Sequence, residues 1–246
     1  MGQLYYIIFN IILLILIFIK KPFIKFYNDK DVLYTALGDD ISKGFIALFF
    51  RGFVYRLKAY LKLNNKKFKC NNFAVPSFTS GDLLNQLMNN TGIRNSVKNS
   101  KIITISIGGN NLIKGMVDNY NEVDGQILKK GVEDFRRDWP QLLYFIRTSI
   151  GSKACIYVMT LYNPFEVNDP NYSIAEYYIF NLNKIISSDF WCHCFDYKVI
   201  DSHNCLGNNL GERTLLFNNF FKIPLPNYRG YKKLSGAFID KIQGCN

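Results

Sequence analysis

Val32-Leu33-Tyr34-Thr35-Ala36-Leu37 is a run of apolar and β-branched residues that stops on Gly38-Asp39-Asp40-Ile41-Ser42-Lys43-Gly44. A short run of this kind forms a strand buried on both faces of a sheet. The glycine-bounded, charged segment behind it reads as the loop at the strand's carboxyl end. Four more runs share the character: Lys69 to Ala74, Ile102 to Ile107, Ala154 to Thr160 and Tyr197 to Ile200. Helical spacing fills the intervals, over Phe45 to Leu63, Gly81 to Asn89, part of Gln126 to Ile150, Ser173 to Ser188 and Tyr228 to Ile242. In the third of these, Asp138 before Trp139-Pro140 reads as a cap with proline in the first turn. Strands alternating with helices predict a three-layer α/β/α sandwich around a parallel sheet of about five strands. Ligands bind such sheets at the carboxyl ends of the strands, so the loops there carry the functional question.

The chain has 246 residues, 48% of them apolar and 20% charged, enough for one large domain with a proper core and too apolar for a disordered chain. Its net charge of +11 is unevenly spread: Lys20 to Lys69 holds 12 basic and 4 acidic residues, net +8, and Cys70 to Asn246 holds the remaining +3. Ahead of the basic stretch, Leu4 to Ile19 is a 16-residue apolar run broken by Asn10 and followed by Lys20-Lys21-Pro22. At a rise of 1.5 Å per residue it covers ~24 Å, close to the ~30 Å hydrocarbon core once the flanks are added. No basic residue precedes it and Lys20-Lys21-Pro22-Phe23 is a poor cleavage site, so an uncleaved transmembrane helix is expected rather than a signal peptide. The organisation expected is an anchor over residues 1–21, a linker over 22–31 and one domain over 32–246. The partner expected is the membrane, through that helix, and not nucleic acid. Aromatic residues among the lysines of Phe45 to Lys69 fall at helical spacing and read as core.

Five segments in order resemble the SGNH/GDSL hydrolases, in the bacterial membrane-anchored or secreted branch of that lipase/acylhydrolase family. Leu37 to Gly44 is similar to its first block, Gly-Asp-Ser-x-(Ser/Thr)-x-Gly. Asn72-Phe73-Ala74-Val75-Pro76-Ser77-Phe78-Thr79-Ser80 resembles the second, and Gly108-Gly109-Asn110-Asn111 the third, Gly-x-Asn-Asp. Ile156 to Phe165 is similar to the strand and loop that follow, and Pro224-Leu225-Pro226-Asn227-Tyr228-Arg229-Gly230-Tyr231 sits like the last block, Asp-x-x-His-Pro-Asn-x-x-Gly-Tyr. The resemblance implies the flavodoxin-like fold of the family, ester hydrolysis by a Ser-Asp-His triad, and a domain outside the cytoplasm, whereas Lys20, Lys21 and Lys25 behind the apolar run place that flank on the cytoplasmic side by the positive-inside rule, so both orientations stay open. It also implies an oxyanion hole made of the serine N–H, a block-two glycine and a block-three asparagine.

The residues depart from that implication. The serine slot holds Asp40, the aspartate slot Lys222 and the histidine slot Leu225, so no competent triad is expected. The oxyanion asparagine persists as Asn110, while Ser77 stands in the glycine slot; Asp40, Ser77 and Asn110 are therefore candidates for binding. The reading that follows is a pseudoenzyme acting by binding a ligand or a protein partner; the alternative is an active esterase with a rearranged site built on Ser42, Ser77 or His203. Lys222 in the old aspartate slot is expected to pair with Asp39 or Asp40. Asp39, Asp40 and Asn110 also make a hard-oxygen set, but a structural Asp39 beside an exposed Asp40 is the simpler reading, and no metal or cofactor is expected. A second cluster, Cys192, Cys194, His203 and Cys205, is a weak zinc candidate because Cys-x-Cys is tighter than the usual spacing and an extended chain turns His193 away.

Overall fold

A computed structural model of the chain describes residues 32–44, 52–65, 67–113, 116–117, 122–207 and 225–244. The apolar run Leu4 to Ile19, the linker and Lys222 lie outside the described residues. Among the described residues no helix is long and apolar enough to cross a membrane.

The five apolar runs form one parallel sheet: β1 (Val32–Gly38), β2 (Phe68–Asn72), β3 (Ile102–Ser106), β6 (Cys155–Met159) and β7 (Tyr197–Ile200), in the order β2-β1-β3-β6-β7. A short antiparallel pair, β4 (Met116–Val117) and β5 (Glu122–Val123), stands apart. The period of two along each strand divides the core. Leu37, Ile103, Ile105, Ile156 and Val158 face one layer, made by α3 (Ser80–Asn89), α4 (Thr91–Asn99), α6 (Gly125–Tyr144) and α7 (Tyr172–Ile186). Tyr34, Ala36, Ile102, Tyr157 and Met159 face the other, made by α2 (Phe53–Asn64) and α10 (Tyr228–Gln243). Phe53 and Phe238 stack between those two helices with ring centroids 4.6 Å apart. The aromatic periodicity of α2 is core, as its spacing implied: Phe53, Leu57, Tyr60 and Leu61 are buried and Lys58 and Lys62 exposed.

Three local expectations are corrected. Asp138 caps nothing: α6 begins at Gly125, capped by Asp124, and runs through Pro140. Its continuous buried face, Leu128, Val132, Phe135, Trp139, Leu142 and Leu143, with Phe135 stacked on Trp139, outweighs the roughly 3 kcal/mol that an interior proline costs. The Cys192-His193-Cys194 segment is helical, not extended. It forms α8 (Asp189–Phe195), which turns Cys192 toward the Ile186 carbonyl and leaves Cys194 exposed. Helical stretches rich in polar residues, such as α4, also lie where the spacing predicted none; Asn90 caps α4 and Ile93 and Val97 anchor it.

Candidate functional site

Strand order reverses between β1 and β3, so the chain leaves these neighbours in opposite directions and opens a crevice at their carboxyl ends. The block-one loop enters it from β1 and the block-three segment from β3. Below the crevice lies a mutually hydrogen-bonded polar floor. Asp39, 2% exposed, accepts the Ile41 amide and so caps α1 (Asp40–Lys43); it also accepts the Ser106 hydroxyl at 2.8 Å. Ser106 in turn contacts the Ser42 hydroxyl at 2.7 Å and accepts the Ser42 amide at 3.1 Å. Gly38 makes this geometry reachable. Its φ is +123°, and a Cβ there would lie 1.9 Å from the Ser106 carbonyl oxygen. Burial pushes the Asp39 carboxyl up to about 7, against the opposing effect of the Ser106 hydroxyl and the Ile41 amide; the Asp40 charge adds to the rise.

Blocks two and three clamp onto this floor. Asn72 donates to the Ser42 carbonyl at 2.8 Å and accepts the Ala74 amide. Val75-Pro76-Ser77-Phe78 is a tight turn closed by the Phe78 amide on the Val75 carbonyl, with proline second and Ser77 third at φ +65°, the position that favours glycine in a type II turn. Thr79 and Asp82 then cap α3 reciprocally. Asn111 holds Ser80 through both its amide oxygen and nitrogen, and Ser80 donates to Asp138, which is why that aspartate is buried.

Asp40, Ser77 and Asn110 come together above the floor. The Ser77 amide donates to Asp40 Oδ2 at 2.9 Å, and Asn110 Nδ2, on α5 (Gly109–Ile113), donates to the same oxygen at 3.0 Å. The second Asn110 proton goes to the Phe78 carbonyl. Asp40 is thus no simple exposed loop carboxylate. It sits where the two donors that would stabilise an oxyanion converge, and charge-assisted bonds of this kind are the strong ones. Beside it an open pocket, with an empty volume of about 510 Å³ including its mouth, is walled by Leu112, Ile113, Leu161, Pro164, Ile179 and Leu225. Leu225, where the last block would place a histidine, is 6% exposed and forms part of that wall. Next to it Asn227 caps α10, so that residue of the block works as a helix cap.

The alternative candidates lie elsewhere. Ser42 is fully buried in the floor with its hydroxyl on Ser106, outside the pocket lining. His203, on α9 (Ser202–Leu206), bonds to Glu176 Oε1 at 2.8 Å, while Glu176 Oε2 accepts from Asn163. Among the described residues Cys192, Cys194 and Cys205 form no disulfide, and no three His, Cys, Asp or Glu side chains are grouped to hold a metal ion. Sequence reasoning passed over Ser106 and most of the pocket walls; the signal for Ser106 is a hydroxyl at the carboxyl end of a buried strand whose only other polar side chain is Thr104.

The fold and the block arrangement are those of the α/β/α family to which esterases and lipases of the G-D-S-L type belong. Over 156 residues the chain is 30% identical to the spore germination lipase LipC of Bacillus licheniformis, covering 61% of this chain and 71% of that protein. The crystal structure of the lipase Lip_vut3 from a goat rumen metagenome superposes with a TM-score of 0.69 at 26% identity, covering 85% of this chain and 96% of that one. A member of the lipolytic G-D-S-L family from Veillonella parvula shares the fold, with a TM-score of 0.54, 15% identity and coverage of 86% and 98%. No protein-family model matches. The chain belongs to the GDSL/SGNH lipase/acylhydrolase family.

Proposed function

We propose that this family member has left ester hydrolysis and acts by binding, through the former active site, a ligand or a protein partner. The observation that carries the reading is the Asp40 carboxylate on the Ser77 amide and Asn110. Each such donor contributes roughly 3–4 kcal/mol to an acyl-transfer transition state when an oxyanion forms there, and here both are engaged by a resident anion. Leu225 offers no base, and the sequence places Lys222 rather than a carboxylate three residues before it. The Leu4 to Ile19 run supports an N-terminal membrane anchor over residues 1–21, a linker over 22–31 and the domain over 32–246, held outside the cytoplasm as the family resemblance implies.

The test uses the purified full-length chain with short p-nitrophenyl esters and a fluorophosphonate probe. The expected result is no labelled serine, and turnover equal to that of the Asp40→Ala variant. Turnover abolished by that substitution, or a label on Ser42 or Ser77, overturns the proposal in favour of a rearranged esterase. The observation favouring that second reading is the Glu176–His203 pair, a histidine oriented by a carboxylate at the carboxyl end of the sheet. A joint Asp40→Ser, Lys222→Asp and Leu225→His variant is expected to gain ester turnover, and Asp40→Ser alone to stay at background.

A further inference from the structure

The pocket and the carboxylate at its end define a ligand chemistry. Both hydrogen bonds to Asp40 fall on Oδ2. Among the described residues Oδ1 takes none, and Asp40 is half-buried and lines the pocket. The remaining polar lining is Asp39, Tyr162 and Asn110, whose two amide protons are already given to Asp40 and Phe78. Among the described residues no lysine, arginine or histidine lines this space, although the chain carries +11 overall. A carboxylate or ester carbonyl entering here would bring oxygen lone pairs against an acceptor that is itself an anion. A donor, above all a cation, would meet an unshared oxygen whose carboxylate is already held in place by two N–H groups, so little ordering is left to the ligand.

We infer that the pocket takes an aliphatic chain ending in a hydrogen-bond donor, an alkylammonium above all, and rejects the acyl carboxylates that an empty oxyanion hole would accept. The apolar walls from Leu112, Ile113, Leu161, Pro164, Ile179 and Leu225 hold the chain, and Asp40 Oδ1 reads its head. The inference rests on the binding role proposed above and names its ligand class.

Radiolabelled octylammonium and octanoate are dialysed to equilibrium against the full-length chain in lipid nanodiscs, with empty nanodiscs subtracted. Wild type is expected to bind one octylammonium saturably, at least about tenfold more tightly than octanoate. Asp40→Asn, nearly the same size, is expected to lose about tenfold toward octylammonium. Asp40→Ala, which frees both donors, is expected to acquire saturable octanoate binding. Equal or tighter octanoate binding by wild type, or an order of preference that neither variant changes, overturns the inference. Fluorophosphonate labelling on the same sample separates the two claims. A labelled serine removes the binding role itself, whereas absence of both label and octylammonium binding removes the ligand class alone.

Discussion

The polar floor under the crevice and the rim above it lie a few residues apart in sequence and are held in different ways. In the floor, Asp39, Ser42 and Ser106 satisfy one another at 2.7–3.1 Å, almost without solvent contact. At the rim, the residues standing in the slots for the nucleophile, the block-two glycine and the histidine are Asp40, Ser77 and Leu225, and at Ser77 the backbone holds the positive φ that favours glycine. A buried, mutually bonded group cannot be exchanged without leaving an unpaired polar atom, at about 1–3 kcal/mol each. A group at the rim contributes little to the folding of the floor beneath it, so the fold leaves its identity open. The contrast separates what the fold needs from what the rim can vary.

The largest expected effect lies in the floor. Gly38→Ala drives a methyl into the Ser106 carbonyl at a φ that a side chain rarely adopts, and should cost more than about 4 kcal/mol, read as loss of the cooperative denaturant transition. A comparable loss for Asp40→Ala would erase the distinction between floor and rim.

The second effect is a pH dependence. Asp39 has a folded-state value of about 7 against 3.8 for the ordinary group, so between about pH 4 and 7 the folded chain keeps a proton that the unfolded chain has released. Stability from this group is therefore greatest below pH 4, falls as pH rises through that window, and levels off above it, by about 4 kcal/mol in all. Asp39→Asn should flatten this slope, measured as urea midpoints at pH 5 and pH 8; an unchanged slope would assign it to other groups.

The smallest effect belongs to the rim and has the opposite sign. Ser77→Gly relieves a side chain at φ +65° and keeps the amide that meets Asp40, so a gain of about 0.5–1 kcal/mol is expected after the added freedom of the unfolded chain is counted. A loss on thermal unfolding would mean that the Ser77 side chain has acquired a role of its own.

The sheet was legible because β1, β3 and β6 are short apolar runs, and burial on both faces leaves such runs little alternative; β2, at the edge, carries Lys69, Asn71 and Asn72 and has no buried residue. Where local signals misled, packing had overruled them. Pro140 promised a helix start, but the apolar face from Leu128 to Leu143 carries the helix through it. Cys192 to Cys194 offered an alternating pattern that α8 winds apart. In the site, the changed slots could be read directly from aligned blocks, since the residue types differ. That Asp40 turns its carboxylate onto Ser77 and Asn110 could not, because it depends on a rotamer and on a turn 37 residues downstream. The pocket walls come from α5, α7 and the segments after β6 and before α10, a set that no local pattern links.

The stacking of Phe53 on Phe238 bears on biosynthesis. The layer built from α3 to α7 can close on the sheet while the chain is still emerging, but the layer over Tyr34, Ala36 and Tyr157 needs α2 and α10, whose sequences lie at opposite ends of the domain. That side is complete only when α10 joins α2, so a nascent chain that has made α2 but not α10 carries a half-covered sheet, a surface for chaperones to shield.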